Sequence, residues 1–246
     1  MENKMSNKWI FSLKTHFVKT LGKRLNIVNE SLAAGENHNE KLQWWNSLSK
    51  EFQENFLEIL ELDVDKFNQD KKENLTQLFQ LTEFSLSYNK ISDISSLAQL
   101  CRLTKLYLDR NKISNIAPLI HLINLQELSL ESNKIRDISA LARLSQLAKL
   151  SLMDNKISDI TSLAHLNQLK VLSLDFNEIS DISPLAQLSQ LTMLYLDRNK
   201  VSNISSLTHL TQLRVLSLNE NPLCQQDINW LQSKLPNCEI YFSNEN

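Results

Sequence analysis

Acidic side chains that recur at a fixed spacing are the first residues of this chain whose type and position suggest chemistry. Four of them are separated by 22 residues or by multiples of 22: Asp109, Glu131, Asp175 and Asp197. Paired carboxylates can bind a cation or act as an acid and a base. No base, nucleophile or oxyanion donors accompany them in the sequence, so we predict no enzyme and no catalytic residue. Weak Ca²⁺ binding by Asp109 and Glu131 stays open, although EF-hand-like clustering is absent.

Composition and charge exclude several other functions. The 246 residues carry a formal net charge of −2, which argues against nucleic-acid binding because phosphate neutralisation needs a basic surface. Glycine occurs only at Gly22 and Gly35, too rarely for a phosphate-cradling loop. Three cysteines are too few to stabilise a fold of this size by disulfide bonds, which favours a reducing compartment. We therefore expect a cytoplasmic protein, with secretion by a non-classical route as the alternative.

An internal repeat explains the spacing of the acids. The second unit reads Leu103-x-x-Leu106-x-Leu108-x-x-Asn111-x-Ile113-x-x-Ile116-x-x-Leu119-x-x-Leu122, and the other units keep apolar types at these positions. The asparagine recurs every 22 residues without insertion: Asn89, Asn111, Asn133, Asn155, Asn177, Asn199 and Asn221. A period of this length indicates a solenoid.

Each unit contains two shorter periods that predict its local structure. Leu106 and Leu108 alternate with polar or amphipathic residues, which is typical of a short strand with one buried face. The apolar residues that follow step by three, which indicates a 3-10 or helical return path. One unit cannot bury both of its edges, so the units must stack. We predict that the asparagine at each corner bonds backbone groups and forms a structural ladder along the stack.

This frame resembles that of leucine-rich repeat proteins, in particular the 22-residue subclass of bacterial internalins and of Sds22-like regulatory subunits of protein phosphatase 1. The resemblance covers roughly Leu75 to Phe242. It implies an α/β solenoid with a curved parallel sheet on the concave side, and a protein-binding role. The sequence Asp-Ile-Ser-Pro-Leu-Ala at residues 181–186 favours an internalin-like bacterial binding or virulence protein. An intracellular regulatory subunit of the Sds22-like kind is the alternative.

Both ends of the array, predicted to span residues 75–221, should be capped. Residues 41–74 are expected to form a helical N-terminal cap with one amphipathic helix between Leu42 and Leu62, capped by Ser47 or Ser49, and then a connection or short second helix. Residues 222–246 are expected to hold a closing helix and a last strand. The run Leu235-x-x-Cys238-x-Ile240 follows Leu213-x-x-Leu216-x-Leu218 by 22 residues, which places Cys238 in a leucine slot.

Residues 1–40 differ from the rest in charge, and we expect them to form a basic leader or helix. Residues 1–25 hold six lysines and arginines against one acid, and an i, i+4 apolar row runs along them: Leu13, Phe17, Leu21 and Leu25. An extra capping helix or a loosely ordered leader is the favoured interpretation. A peripheral membrane adaptor that uses this segment on an anionic bilayer is a third functional alternative.

Function on a stacked sheet is expected in columns of outward-facing side chains, which repeat about every 4.8 Å. These side chains are not needed to close the core, so they are free to contact a protein or peptide partner. Tyrosine and arginine are typical interface anchors, and the acids would steer a partner with a basic surface. The predicted partner-binding residues are Tyr88, Tyr107, Asp109, Arg110, Glu131, Met153, Asp175, Phe176, Tyr195, Asp197 and Arg198.

The opposite face carries charges with no expected ligand. Lysines follow most of the asparagines, and acids such as Asp137 and Asp159 come three residues later, which predicts a solvated ladder that compensates its own charge. Histidines occur in alternate repeats at His121, His165 and His209. Their backbones should lie about 9.6 Å apart, too far for a shared zinc ion. We predict no metal and no cofactor.

Overall fold

The computed structural model describes residues 38–243, and these residues form one stack of repeats with a cap at each end. Eight parallel strands form a single sheet in which each strand pairs with the next along the chain. The strands are β1 (Glu83–Ser85), β2 (Lys105–Tyr107), β3 (Glu127–Ser129), β4 (Lys149–Ser151), β5 (Val171–Ser173), β6 (Met193–Tyr195), β7 (Val215–Ser217) and β8 (Glu239–Tyr241). The predicted leucine-rich repeat solenoid is confirmed.

The strand register follows the sequence repeat from β1 to β7. Leu106 pairs with Leu128, and the polar residues on either side pair with their counterparts 22 residues later. The central leucine of each strand is buried, because alternate side chains of a strand point to opposite faces. The apolar spine that this produces runs without interruption from the N-terminal cap to Cys238.

A short 3-10 helix forms the outer side of each repeat, as the three-residue steps predict. These helices are Ser95–Gln99, Ala117–His121, Ser139–Arg143, Thr161–His165, Ser183–Gln187 and Ser205–His209. An Asp or Asn side chain accepts the N–H two residues ahead at the start of each one; for Asp159 and Thr161 the distance is 2.8 Å. The outer acids therefore begin the helices, a role that the charge pattern alone did not indicate.

The asparagine ladder has the predicted structural role. In the middle of the array, the Nδ2 of Asn155 donates to the carbonyl oxygens of Leu130 at 3.0 Å and Leu152 at 3.1 Å. Its Oδ1 accepts the N–H of Ile135 at 3.0 Å. Each interior asparagine thus joins its own repeat to the one before it, and Asn111 through Asn221 are all buried.

Within residues 38–243 the N-terminal cap contains four helices, and the apolar stripe between Leu42 and Leu62 forms two helices rather than the one expected. The four helices are α1 (His38–Ser47), α2 (Lys50–Ile59), α3 (Val64–Gln69) and α4 (Lys71–Phe79). The stripe is interrupted after Ser47 because Ser49 caps α2 with its side chain, and a cap residue has an extended backbone. The boundary predicted at residue 75 falls within α4.

Aromatic side chains join this cap to the array. The ring of Phe56 stacks on Phe84 of β1 with centroids 4.6 Å apart, and the Nε1 of Trp44 donates to the carbonyl oxygen of Ser96 at 2.8 Å. Both contacts cover the open end of the first repeat. The basic segment at residues 1–25, like all of residues 1–37, lies outside the described residues.

The C-terminal cap consists of α5 (Gln225–Lys234) and the expected strand β8. The register of β8 differs from the expected one: Ile240 pairs with Leu216 at a spacing of 24 residues, whereas a spacing of 22 would align it with Leu218. The N–H of Cys238 donates to the carbonyl oxygen of Leu235, just as the N–H of Leu213 donates to the carbonyl oxygen of Leu210. Cys238 therefore occupies the position equivalent to Leu213 rather than to Leu216. The ten-residue helix replaces a five-residue 3-10 helix and shifts the register. Burial raises the pKa of the Cys238 thiol to about 11.

Candidate functional site

The candidate site is the concave face of the sheet, where four columns of side chains point away from the core. The first column contains the last residue of each strand, such as Tyr107, and the fourth column contains the first residue, such as Lys105; their register is fixed by the pairing of β1 to β7. The second and third columns contain the second and third residues after each strand, such as Asp109 and Arg110. Backbone bonds such as the one from the Arg110 N–H to the Glu131 carbonyl at 2.8 Å hold these residues together. All eleven predicted residues lie in these columns.

Exposure within the columns is less uniform than the sequence analysis expected. Tyr107 and Asp175 are buried, with only 8% and 9% of their surface accessible, because the side chains of neighbouring repeats close over them. Tyr195, Met153 and Phe176 are half-buried. Arg110 and Arg198 are exposed, as is Tyr88. Tyr107 and Asp175 are therefore less accessible to a partner than expected, and the partner-binding role predicted for them stays a prediction.

The acids of the second column have a structural role that the spacing of these residues in the sequence does not indicate. The Oδ1 of Asp109 accepts the N–H of Glu131 at 2.9 Å, and the Oδ1 of Asp175 accepts that of Asp197 at 2.8 Å. Asp197 in turn accepts the N–H of Asn219 at 2.8 Å. These carboxylates connect successive repeats on the concave side.

The asparagine ladder explains why these N–H groups need a carboxylate. The Leu174 carbonyl, which a continued β-ladder would offer to the Asp197 N–H, instead accepts the amide groups of Asn177 and Asn199. A buried N–H without a partner is costly, so a side-chain acceptor from the previous repeat replaces the carbonyl. Only the three-dimensional stack shows that the two ladders depend on each other.

Burial and mutual repulsion perturb these acids. The pKa of Asp175 is raised to about 7, chiefly by burial and then by the charge of Asp197. Burial also raises the pKa of Asp109 and of Glu131, against hydrogen bonds to Asp109 from Ser129 and Glu131. Near neutral pH, Asp175 is therefore only partly ionised and contributes less to long-range steering than a fully ionised carboxylate would.

The third column has a left-handed backbone in every repeat. The residue before each asparagine has a φ between 51° and 65°, although none of these residues is glycine. The seven are Tyr88, Arg110, Ser132, Asp154, Phe176, Arg198 and Glu220. Large side chains in this region carry a conformational cost, which the two hydrogen-bonded ladders on either side offset.

Two arginines of this column cover aromatic rings. The guanidinium carbon of Arg110 lies 5.2 Å from the centroid of the Tyr88 ring, and that of Arg198 lies 4.8 Å from the centroid of Phe176. Each pair joins residues one repeat apart, so both are cation–π contacts between stacked units. These aromatic and arginine residues are the predicted anchors, and the structure brings them together in pairs.

The fourth column is largely neutralised by ion pairs. The Nζ of Lys149 lies 3.0 Å from Glu127, and that of Lys105 lies 3.6 Å from Glu83. The hydroxyl of Tyr107 donates to Glu127 at 3.3 Å. The fourth column is therefore polar with balanced charge in its first half, while Val171, Met193 and Val215 make it apolar in its second half.

Metal and membrane sites are not evident in the described part of the chain. Within residues 38–243, no three or more His, Cys, Asp or Glu side chains come together in a way that could hold a metal ion. No helix in the same range is long and apolar enough to cross a bilayer.

The geometry defines the class of protein as a capped solenoid of leucine-rich repeats. The family model for leucine-rich repeats matches residues 80–121, 101–143, 123–165, 145–187 and 167–209. These overlapping matches include more than half of the chain, which belongs to the leucine-rich repeat family. Proteins built from such repeats are generally protein–protein interaction modules.

Solved structures place the chain closer to a particular type within this family. It is 31% identical to internalin C2 of Listeria monocytogenes, with a TM-score of 0.64 over 70% of this chain and 76% of that one. For the internalin InlF of the same species the identity is 32% and the TM-score 0.56, over 70% of this chain and 58% of that one. The chain is thus a leucine-rich repeat protein of internalin-like type. A comparison with curated protein sequences gives no match.

A plant receptor shows the same architecture with a partner bound. The leucine-rich repeat ectodomain of the Arabidopsis thaliana receptor kinase GASSHO1/SCHENGEN3 was solved in complex with CASPARIAN STRIP INTEGRITY FACTOR 2. It is 26% identical, with a TM-score of 0.59 over 67% of this chain and 22% of that one. The present chain therefore spans about a fifth of the receptor chain.

Proposed function

We propose that this protein is a non-enzymatic binding module that holds a protein or peptide partner on its concave face. The partner would lie across the strands and contact the aromatic and arginine side chains of the first and third columns. By its type the module is internalin-like, and binding rather than catalysis is its activity.

The observation that carries this proposal is the pair of tyrosines in a column where the other five strands from β1 to β7 have serine. Tyr107 and Tyr195 share their column with Ser85, Ser129, Ser151, Ser173 and Ser217. Because five repeats stack with a serine there, the fold does not require a tyrosine. Large aromatic side chains at positions where the fold does not need them are typical of interface anchors, and half-buried Tyr195 is more accessible than Tyr107, which is buried.

The surrounding surface supports the same function. Tyr195 is half-buried, and its hydroxyl has a weak contact of 3.8 Å with the sulfur of Met193. The neighbouring ring of Phe176 and the apolar residues of the fourth column extend the patch. An apolar centre beside polar, charged groups is the usual composition of a protein interface. The receptor ectodomain complex is a precedent for partner binding by this architecture.

Substitution of both tyrosines by serine tests the proposal without changing the fold. The Tyr107→Ser, Tyr195→Ser variant gives these two repeats the residue that the other five already have. The matched control is Lys112→Ser, Lys200→Ser, which alters the outer face of the same two repeats. Proteins captured from the native cell by the wild type would be purified, and their Kd for the wild type, the tyrosine variant and the lysine control would be measured by calorimetry.

We expect the tyrosine variant to weaken binding of the purified partner by about tenfold or more, as loss of interface anchors does. The lysine control should bind within about twofold of the wild type. Equal affinity of all three proteins, or a larger loss in the lysine control, would contradict binding on the concave face.

A further inference from the structure

The second and sixth repeats form the same local constellation twice. Residues 106–112 and 194–200 both read Leu-Tyr-Leu-Asp-Arg-Asn-Lys. In each, the arginine has a φ of 54° and its guanidinium covers an aromatic ring of the preceding repeat. The ring occupies one face of the planar guanidinium, which leaves the N–H edge to bind an acceptor.

The two constellations differ in the residue that lies one repeat further on. Glu220 follows Arg198, and its Oε1 accepts from Nε at 2.6 Å and lies 2.6 Å from the second terminal nitrogen. The ring-stacked guanidinium of the sixth repeat therefore already holds a carboxylate, supplied by the chain itself. Two N–H groups on one carboxylate oxygen make a directional, charge-assisted contact.

The corresponding position after Arg110 is Ser132, which has no carboxylate to offer. None of the ion pairs within 4.0 Å among residues 38–243 involves Arg110. The charge of Arg110 acts to lower the pKa of the two nearest acids along the chain, Asp109 and Glu131, but neither forms an ion pair with it. Their oxygens accept other hydrogen bonds: Asp109 accepts from Ser87, Ser129 and the Glu131 N–H, and Glu131 accepts from Ser151 at 2.7 Å. Arg110 therefore stacks on an aromatic ring and has an exposed N–H edge, as Arg198 does, but no carboxylate equivalent to Glu220 is paired with it.

We infer that the guanidinium of Arg110, stacked on Tyr88, binds a carboxylate of the protein partner, an Asp or Glu side chain. Glu220 fills the equivalent site at Arg198 from within the chain, and so shows the chemistry that the open site accepts. The inference rests on the proposed function, because the partner must lie against the concave face to deliver the carboxylate. Contact with the partner would remove water from the pair and strengthen it beyond a surface ion pair.

A nuclear magnetic resonance titration of the full ¹⁵N-labelled chain tests the site without any partner. The probe is N-acetyl-glutamate amide, and N-acetyl-glutamine amide is the uncharged control. The readout is the Nε–H resonance of Arg110 and that of Arg198, assigned by Arg→Lys substitutions. We expect the Arg110 resonance to shift and saturate with the glutamate probe, the Arg198 resonance to stay in place, and the glutamine control to move neither.

Exchange of the two native residues provides the decisive variants. Ser132→Glu should close the Arg110 site, and Glu220→Ser should open the Arg198 site, so that the responses of the two resonances are swapped. Both residue types already occur in this column, and equal melting temperatures would confirm that each variant folds. Equal responses of the two arginines in the wild type, no response of Arg110, or an unchanged Arg110 response in Ser132→Glu would overturn the inference.

Inorganic phosphate is the third probe. Saturation of the Arg110 resonance at a phosphate concentration about tenfold or more below that of the glutamate probe would assign the site to a phosphorylated group and overturn the carboxylate assignment. Because no arm of the titration uses a partner, failure here leaves the tyrosine experiment unaffected. Loss of concave binding in that experiment would likewise leave the titration interpretable.

Discussion

Acids recur at the same 22-residue interval on the concave and outer faces, but the two sets have opposite electrostatic behaviour. On the outer face, the carboxylates of Asp137 and Asp159 accept local N–H groups in water, and these hydrogen bonds lower their pKa. On the concave face, Asp175 accepts an N–H of the next repeat while buried beside Asp197, and its pKa is raised to about 7. The comparison teaches that stacking and burial, rather than residue type or spacing, decide what a repeated acid does.

The largest effect is expected from removing one asparagine of the ladder that joins successive repeats, because both faces depend on that stacking. Asn155→Ala leaves the Ile135 N–H without its partner and deprives the Leu130 and Leu152 carbonyls of a donor inside the core. We expect the free energy of unfolding to fall by about 3 kcal/mol or more, measured by urea denaturation.

Asn89→Ala is the matched control for this change. Asn89 lies at the edge of the ladder, is half-buried, and donates to Leu86 and Ser87 of its own repeat. The loss there should be clearly smaller. Equal losses at the two positions would show that the bonds between repeats do not carry the stability.

The next prediction concerns the buried acid of the concave face. Because the folded pKa of Asp175 is about 7 against 3.8 for an ordinary Asp, the folded state holds a proton that the unfolded state has released between about pH 4 and pH 7. This group should therefore make stability fall as the pH rises through that window. Asp175→Asn keeps an oxygen for the Asp197 N–H and removes the charge.

We expect Asp175→Asn to be more stable than the wild type at pH 8, on the order of 2 kcal/mol, and similar to it at pH 4. Urea denaturation across this range measures the effect. A wild-type stability that rises from pH 4 to pH 7 as steeply as in the variant would contradict the raised pKa.

Loss of an outer acid should have the opposite sign and a smaller size. Asp137→Ala removes the acceptor for the Ser139 N–H, which begins a 3-10 helix at the surface. We expect destabilisation by about 0.5–1 kcal/mol at pH 7, and recovery of most of it in Asp137→Asn, which keeps the acceptor oxygen. Thermal unfolding compares the three proteins. A stabilising effect of the alanine would remove the contrast between the two faces.

The smallest expected effect is on electrostatic steering. The Asp109→Asn, Asp175→Asn variant should change the association rate with the purified partner by less than about twofold, because burial raises the pKa of both carboxylates and so lowers their charge near neutral pH. Stopped-flow kinetics at low and high salt measure this rate, with Asp137→Asn, Asp159→Asn as the outer-face control. A large, salt-sensitive decrease in the concave variant alone would restore the steering role predicted for a partner with a basic surface.

Much of the fold could be predicted because the repeat is strict. Residues such as Leu106, Asn111 and Ile113 recur in phase, and a period-two strand followed by three-residue steps has one stable stacked arrangement. The ends were less predictable: the helix break at Ser49 and the 24-residue spacing from Leu216 to Ile240 occur where the repeat stops. Periodicity gives no information about residues that are not periodic.

The sequence by itself therefore determined the stacked sheet, its columns and the residues in each column. Tertiary structure decided which of these residues are accessible and what each one contacts: Tyr107 is buried, Asp175 bonds the next repeat, and Arg198 is paired while Arg110 is open. The physical reason is that local periodicity fixes the direction of a side chain. Burial, pKa and pairing depend on atoms 22 residues away that only the stack brings into contact.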